Sequence, residues 1–302
     1  MYNTLRRKLP LWRNTMSKPS LRLLAAVLAA FVASAASSPT LKFKFKTIKI
    51  PGAFYTEVDG VNNLGVMVGV YADNNTSTHG FMLSGQKVTT IDDPKAAENT
   101  GCRGINNGGA IVGTYLDSGG NWRGFLYRDH HFSDIGPPWS MSASANAIND
   151  KGKIVGRYTD SGGAVHGFLW NGESYKTIDA PGATFSDAVG INNGGTIVVN
   201  WVRTSPHYHS SLYDGSKFQR IDVPDAYETF ASAINNRGDV VFSWVSRNYG
   251  DYGALLSGGK YYKFSVSRDV YTFGLGINDQ HVIVGLFSNR TLNNGYGYRA
   301  TY

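Results

Sequence analysis

Ala188-Val189-Gly190-Ile191-Asn192-Asn193-Gly194-Gly195-Thr196-Ile197-Val198 holds the unit from which the chain is built. A small residue, Ile-Asn-Asn, a glycine-containing turn and a β-branched run follow one another. With the Ile as ruler, the unit recurs at Val61, Ile105, Ile148, Ile191, Ile234 and Ile277, at spacings of 43 or 44 residues. Asn follows at Asn62, Asn106, Asn149, Asn192, Asn235 and Asn278, and then Asn or Asp: Asn63, Asn107, Asp150, Asn193, Asn236 and Asp279. A fixed period in this range marks a solenoid, a propeller or an array.

Other positions keep the same register. Gly or Ala always precedes the Ile. Five positions before it stands a hydroxyl in Thr56, Thr100, Ser186, Thr229 and Thr272, with Ala143 the exception. Ten positions after it stands an aromatic: Tyr71, Tyr115, Tyr158, Trp201, Trp244 or Phe287.

Residues 178–220 show the unit most clearly. Ser186 to Asn192 reads as a first strand, A, followed by an Asn-Gly-Gly turn whose residues tolerate the positive φ of a tight hairpin. Thr196 to Val202 is a β-branched strand, B; Ser211 to Tyr213 is C; Lys217 to Asp222 is D, stopped by Pro224, which cannot donate to a ladder. Four short antiparallel strands per period match one propeller blade. No window carries the sustained 3.6-residue period of a helical array, and β-helical or leucine-rich coils use shorter repeats. The sixth unit runs out after strand C, while Leu41 to Gly52 resembles strand D of the other units. The expected fold is therefore an all-β, six-bladed β-propeller of four-stranded antiparallel blades, closed by an N-terminal strand that completes the last blade.

The repeat assigns residues 37–302 to one domain and leaves residues 1–36 outside it. Residues 1–35 carry Arg6, Arg7, Lys8, Arg13, Lys18 and Arg22 and no acid, which leaves 23 basic against 22 acidic residues in the remainder. The formal charge of +7 thus belongs to the leader. The body has no cationic excess to attract nucleic acid. A basic segment, the apolar run Leu21 to Val32 and Ala33-Ser34-Ala35 read as a signal peptide, with Met1 or Met16 as the start. The expectation is an extracellular or periplasmic monomer with no integral membrane span once the signal is cleaved. Cys102, the single cysteine, fills a slot held elsewhere by small residues and reads as core rather than as a nucleophile.

The pattern Gly-Ile-Asn-Asn-x-Gly-x-Ile-Val-Gly-x-Tyr, followed by His79-Gly80-Phe81, His166-Gly167-Phe168 and the variant Arg123-Gly124-Phe125, resembles the HAF family of extracellular repeats. The triplet is replaced in the last three units, at Ser210-Ser211, Tyr252-Gly253-Ala254 and Tyr296-Gly297-Tyr298. The resemblance covers residues 45–302. It implies an exported repeat protein and supplies no catalytic residues.

Chemistry is sought on the rim that carries the D–A connections and the B–C loops, because binding residues gather on loops over a rigid scaffold. An acid stands two residues after the aromatic in Tyr71/Asp73, Tyr115/Asp117 and Tyr158/Asp160. Such pairs suit a sugar or a cation, but the plainer reading, and the favoured one, is an Asp that bonds its own turn. The fourth and fifth units lose the Val-Gly pattern and gain Trp201, Arg203, His207 and Trp244, Arg247, an aromatic and basic patch. His207 and His209 have no third ligand near them in sequence, so no metal or other cofactor is expected. Asp59 and Arg103, each two positions before the Ile, are placed to pair between neighbouring units. No nucleophile elbow, phosphate loop or metalloprotease motif occurs. Glu57, Glu98 and Glu228 are the acids best placed for hydrolysis. The reading is a binding or interaction module for carbohydrate or an envelope or extracellular protein. A polysaccharide- or lactone-directed hydrolase or lyase is the alternative.

Overall fold

The computed structural model describes residues 41–73, 77–203, 207–247, 250–289 and 295–302. The leader read as a signal peptide lies outside the described residues, as do Thr204-Ser205-Pro206 and Asn248-Tyr249 of the two divergent loops. No helix among the described residues is long and apolar enough to cross a membrane.

The described residues form twenty-four strands. β1 spans Lys44–Ile48. The first repeat gives β2 (Tyr55–Val61), β3 (Met67–Ala72), β4 (Thr78–Ser84) and β5 (Lys87–Thr90). The second gives β6 (Thr100–Ile105), β7 (Ile111–Leu116), β8 (Trp122–Arg128) and β9 (His131–Ile135). The third gives β10 (Ser142–Ile148), β11 (Ile154–Thr159), β12 (Val165–Trp170) and β13 (Tyr175–Ile178). The fourth gives β14 (Phe185–Ile191), β15 (Ile197–Val202), β16 (His209–Tyr213) and β17 (Phe218–Arg220). The fifth gives β18 (Glu228–Ile234), β19 (Val240–Val245), β20 (Asp251–Ser257) and β21 (Lys260–Phe264), and the last gives β22 (Val270–Ile277), β23 (Val282–Asn289) and β24 (Gly295–Thr301).

Each repeat is an antiparallel meander, and the chain is an all-β propeller of four-stranded blades. β1 lies antiparallel beside β24, with Lys44 opposite Thr301 and Ile48 opposite Gly297, and completes the order β1-β24-β23-β22. The expectation of six separate sheets needs one correction. Val165 at the start of β12 pairs in parallel with Phe185 at the start of β14, so hydrogen bonding yields five sheets, four of four strands and one of eight. The cause is proximity: a C strand begins close to the A strand of the next repeat. The same approach between the first two repeats stops at an isolated bridge, Thr78 to Asn99.

Two recurrent residues now have physical roles. The hydroxyl five before the Ile accepts an N–H from just past the preceding D strand: Ile50 to Thr56, Asp93 to Thr100, Ala180 to Ser186, Val223 to Thr229 and Val266 to Thr272. In the third repeat the equivalent donor position is Pro137, which has no N–H, so Ala143 leaves no donor unmet there; the neighbouring Gly136 N–H donates to the Tyr175 hydroxyl at 3.0 Å. A buried N–H left without a partner is costly, and in the one repeat that lacks the hydroxyl the N–H is missing as well.

The Gly of Val-Gly-x-Tyr faces an aromatic across the B–C ladder. The pairs are Gly69/Phe81, Gly113/Phe125, Gly156/Phe168 and Gly285/Tyr298. A Cβ on Gly156 would stand 1.9 Å from the Ser144 carbonyl oxygen and 2.9 Å from the Phe168 ring. In the fourth and fifth repeats the pair is reversed in size, Val199 opposite Ser211 and Phe242 opposite Ala254. The divergence of these repeats at this position is therefore compensated packing.

Candidate functional site at the axis and on one rim

Strand A of every repeat carries a β-bulge at the same place. The ladder skips Asp59, Arg103, Asn146, Val189, Ser232 and Leu275, each two positions before the Ile. A bulge re-aims a side chain and kinks the strand. Here the six bulged residues line one axial cavity of about 90 Å³, together with the small residue and the Ile that follow them. The Ile positions belong to the hydrophobic clusters and also edge both axial cavities.

The second cavity, about 70 Å³, lies at the A–B turns and is bounded by the Asn pairs. Each first Asn donates from Nδ2 to the carbonyl of the next: Asn62 to Asn106, Asn106 to Asn149, Asn149 to Asn192, Asn192 to Asn235, Asn235 to Asn278 and Asn278 to Asn62. A parallel circle joins the N–H of each following residue to the next side-chain oxygen, from Asn63 to Asn107 and round to Asp279 and Asn63. Asp at every third position balances the amides. Asp150 Oδ2 accepts from Asn107 and Asn193, and Asp279 Oδ2 accepts from Asn63 and Asn236. Burial pushes both carboxyls up, but these bonds outweigh it and hold them below the usual carboxylate range.

The bulged channel is ionic on one side and apolar on the other. Arg103 Nη1 reaches Asp59 Oδ1 at 3.1 Å and Glu57 Oε1 at 3.5 Å, and the Tyr55 hydroxyl donates to Glu57 Oε2. The expected Asp59–Arg103 pair thus forms. Burial first, then the Glu57 carboxylate, raises the Asp59 carboxyl well above the usual range against the pull of Arg103. Beyond it, Asn146 donates to Asp187 Oδ1 at 2.7 Å and Arg157 reaches Asp187 Oδ2 at 3.2 Å. The opposite wall is Val189 and Leu275. Close by, Tyr208 lies between Phe185 and Phe230, with ring centroids 5.5 and 4.8 Å away.

The rim aromatics singled out from sequence mostly face into their own blades. Tyr71 stacks on His79, Tyr158 on His166, and Trp201 and Trp244 pack on His209 and Tyr252. Tyr115 is buried and donates to Asp134. Trp201 Nε1 donates to Ser211 and Trp244 Nε1 to the Gly253 carbonyl, with Lys263 Nζ 4.2 Å from the Trp244 ring centroid. The His of the repeat is clamped from strand D: His79 by Asp92, His166 by Asp179 and His209 by Asp222, at 2.7 to 2.8 Å. His209 therefore occupies the His position of a repeat in which the sequence shows the triplet replaced. The acids serve their own turns. Asp117 accepts from Gly119 N–H, Asn121 N–H and Arg123; Asp160 accepts from Gly162 N–H and Ala164 N–H, with His166 Nε2 3.4 Å away; Asp73 lies 3.8 Å from His79.

In the divergent loops, Arg203 donates to the Pro181 carbonyl, and His207 meets the Tyr227 ring at 4.3 Å and Glu228 at 3.9 Å. Arg247 is exposed beside Ser246. The proposed acids fall apart: Glu57 joins Arg103, Glu228 joins His207, and Glu98 is exposed. Cys102 is buried, which raises its thiol, as a core role requires. Among the described residues no three His, Cys, Asp or Glu side chains gather to hold a metal.

Sequence reasoning passed over the exposed apolar side chains. Among the described residues, Phe54, Trp122, Trp139, Met141 and Tyr227 all belong to D–A connections or the ends of B–C loops, and hence to one face, and Leu64 alone stands on the other. Trp139 is 59% exposed and Trp122 43%. Trp122 and Trp139 interrupt the repeat, whereas Phe54, Met141 and Tyr227 share one position, seven before the Ile, so the register itself was the signal available for those three.

Comparison with known proteins bears on the fold. No family model and no curated protein matches the chain. Among solved structures, AofleA from Arthrobotrys oligospora is 11% identical with a TM-score of 0.54, over 86% of each chain. SapL1 lectin in complex with alpha methyl fucoside is 12% identical with a TM-score of 0.53, over 82% of this chain and 93% of its own. The sialidase of Trypanosoma rangeli in complex with sialic acid is 11% identical with a TM-score of 0.51, over 82% of this chain and 54% of its own. At such identities the likeness is one of fold.

Proposed function

We propose that the protein is an exported carbohydrate-binding propeller of six blades, the eight-stranded sheet counted as two, of the HAF-type extracellular repeats that its sequence resembles. One observation carries the binding reading: among the described residues, five of the six exposed large hydrophobic side chains stand on the face that carries the D–A connections and B–C loops. Exposed aromatics offer flat apolar area at low entropic cost, and adjoining acids and amides orient hydroxyls. The fucoside-bound lectin and the sialic acid-bound sialidase of like fold support the ligand class. The test is a glycan array with the full chain and with Trp122→Ala/Trp139→Ala. Binding that is unchanged in the double variant removes this face from consideration, and envelope-protein extracts then test the protein-ligand form of the reading.

The hydrolase alternative gains one observation, since Glu57 and Asp59 meet at Arg103. It requires reducing ends released from a polysaccharide by the wild type and not by Glu57→Gln.

A further inference from the structure

We propose that the bulged axial cavity is a subsite for a primary ammonium group carried on a sugar; this rests on the carbohydrate-binding reading above. The observation is an unanswered acceptor. Asp59 Oδ2 is buried without a hydrogen-bond partner, on a side chain only 8% exposed, and Asp59 lines the cavity of about 90 Å³.

The neighbouring groups are all engaged. Tyr55 donates to Glu57, and Glu57 Oε1 and Asp59 Oδ1 converge on the same Arg103 Nη1. Two carboxyls thus share one guanidinium. Asp187, also in range of Arg103, has its own partners in Arg157 and Asn146. The other bulged residues are Val189, Ser232 and Leu275, and β6 adds only the neutral Cys102 beside Arg103. The charge deficit therefore sits at β2 and nowhere else on the channel wall.

Burial and then the Glu57 carboxylate hold the Asp59 carboxyl up, so a proton is one way to meet that deficit. An ammonium satisfies it better, bringing a positive charge and three donors to one compact point. A sugar hydroxyl brings a donor but leaves the charge. Arg103, the partner that the two carboxyls share, is 40% exposed.

The experiment is titration calorimetry of the full chain with glucosamine pentamer and with its N-acetylated counterpart, under conditions where the free amine is protonated. The wild type is expected to favour the amine by about tenfold or more, the scale of close charge pairs. Asp59→Asn and Glu57→Gln should each reduce that preference, with melting temperatures confirming that the variants fold. Glu57 is the less buried of the two, so its variant serves if Asp59→Asn does not fold. Equal binding of the two pentamers, or a preference retained in both variants, overturns the subsite. If neither pentamer binds while neutral glycans bind on the array, the subsite falls and the carbohydrate reading stands.

Discussion

Exchanging the cross-strand pair of the third repeat for that of the fourth should expose a strong coupling. In Gly156→Val the new Cβ would lie 1.9 Å from the Ser144 carbonyl oxygen and 2.9 Å from the Phe168 ring, both far inside van der Waals contact. Overpacking costs about 1–3 kcal/mol, and a backbone oxygen among the partners puts this case near ~3. Phe168→Ser removes a fully buried ring and costs about 4 kcal/mol. The double variant recreates Val199 opposite Ser211. The valine then occupies part of the space the ring leaves, so the double should cost about 2 kcal/mol less than the two singles together. Urea denaturation of the four proteins, followed by tryptophan fluorescence, measures the cycle. Additivity within about 0.5 kcal/mol would refute the claim that Gly and Phe are chosen for each other.

Asn149→Ala loses its donor to Asn192 and the acceptor of Lys151 N–H and Lys153 N–H, and should cost about 3 kcal/mol in the same denaturation assay. Tyr175→Phe should cost about 1 kcal/mol by removing the acceptor of Gly136 N–H, whereas Ala143→Ser should bring no gain because Pro137 has no N–H to offer it; a clear stabilisation by Ala143→Ser would refute that account. Burial alone would lower the His166 imidazole, but Asp179 and Asp160 outweigh it and raise it above its ordinary 6.5. Its stabilisation is therefore complete below about 6.5 and is lost as pH rises through the raised folded value, so the melting-temperature gap between wild type and His166→Gln should close with alkalinity. Trp201→Ala should destabilise by about 3 kcal/mol, because the ring packs on His209, whereas Trp139→Ala should leave stability within about 0.5 kcal/mol and reduce glycan binding.

The architecture was legible because six copies vote on each position. The borrowed strand before Pro51, the hydroxyl five before the Ile and the Asp59–Arg103 pair could all be placed by register alone. The bulge could not. It is a property of the ladder, and the residues at it are Asp, Arg, Asn, Val, Ser and Leu, with no common chemistry to betray it. The rim aromatics misled for a related reason. The periodic Tyr and Trp ten after the Ile recur because each blade must pack on itself, while the two most exposed aromatics, Trp122 and Trp139, occur once each. The size exchange between Gly156/Phe168 and Val199/Ser211 was present in the sequence, but it became visible only when pairing set those residues opposite one another.

The seam between β1 and β24 has a kinetic consequence. Lys44 must wait for Thr301, and the last two links of the asparagine circles, Asn278 to Asn62 and Asp279 to Asn63, span 216 residues. During synthesis or refolding, every other blade can assemble from neighbours along the chain, while the closing one depends on the most distant contacts. A truncation that removes β24 would therefore release β1 as well, and leave β22–β23 with a bare edge. Damage at one end of the polypeptide would be felt first at the other.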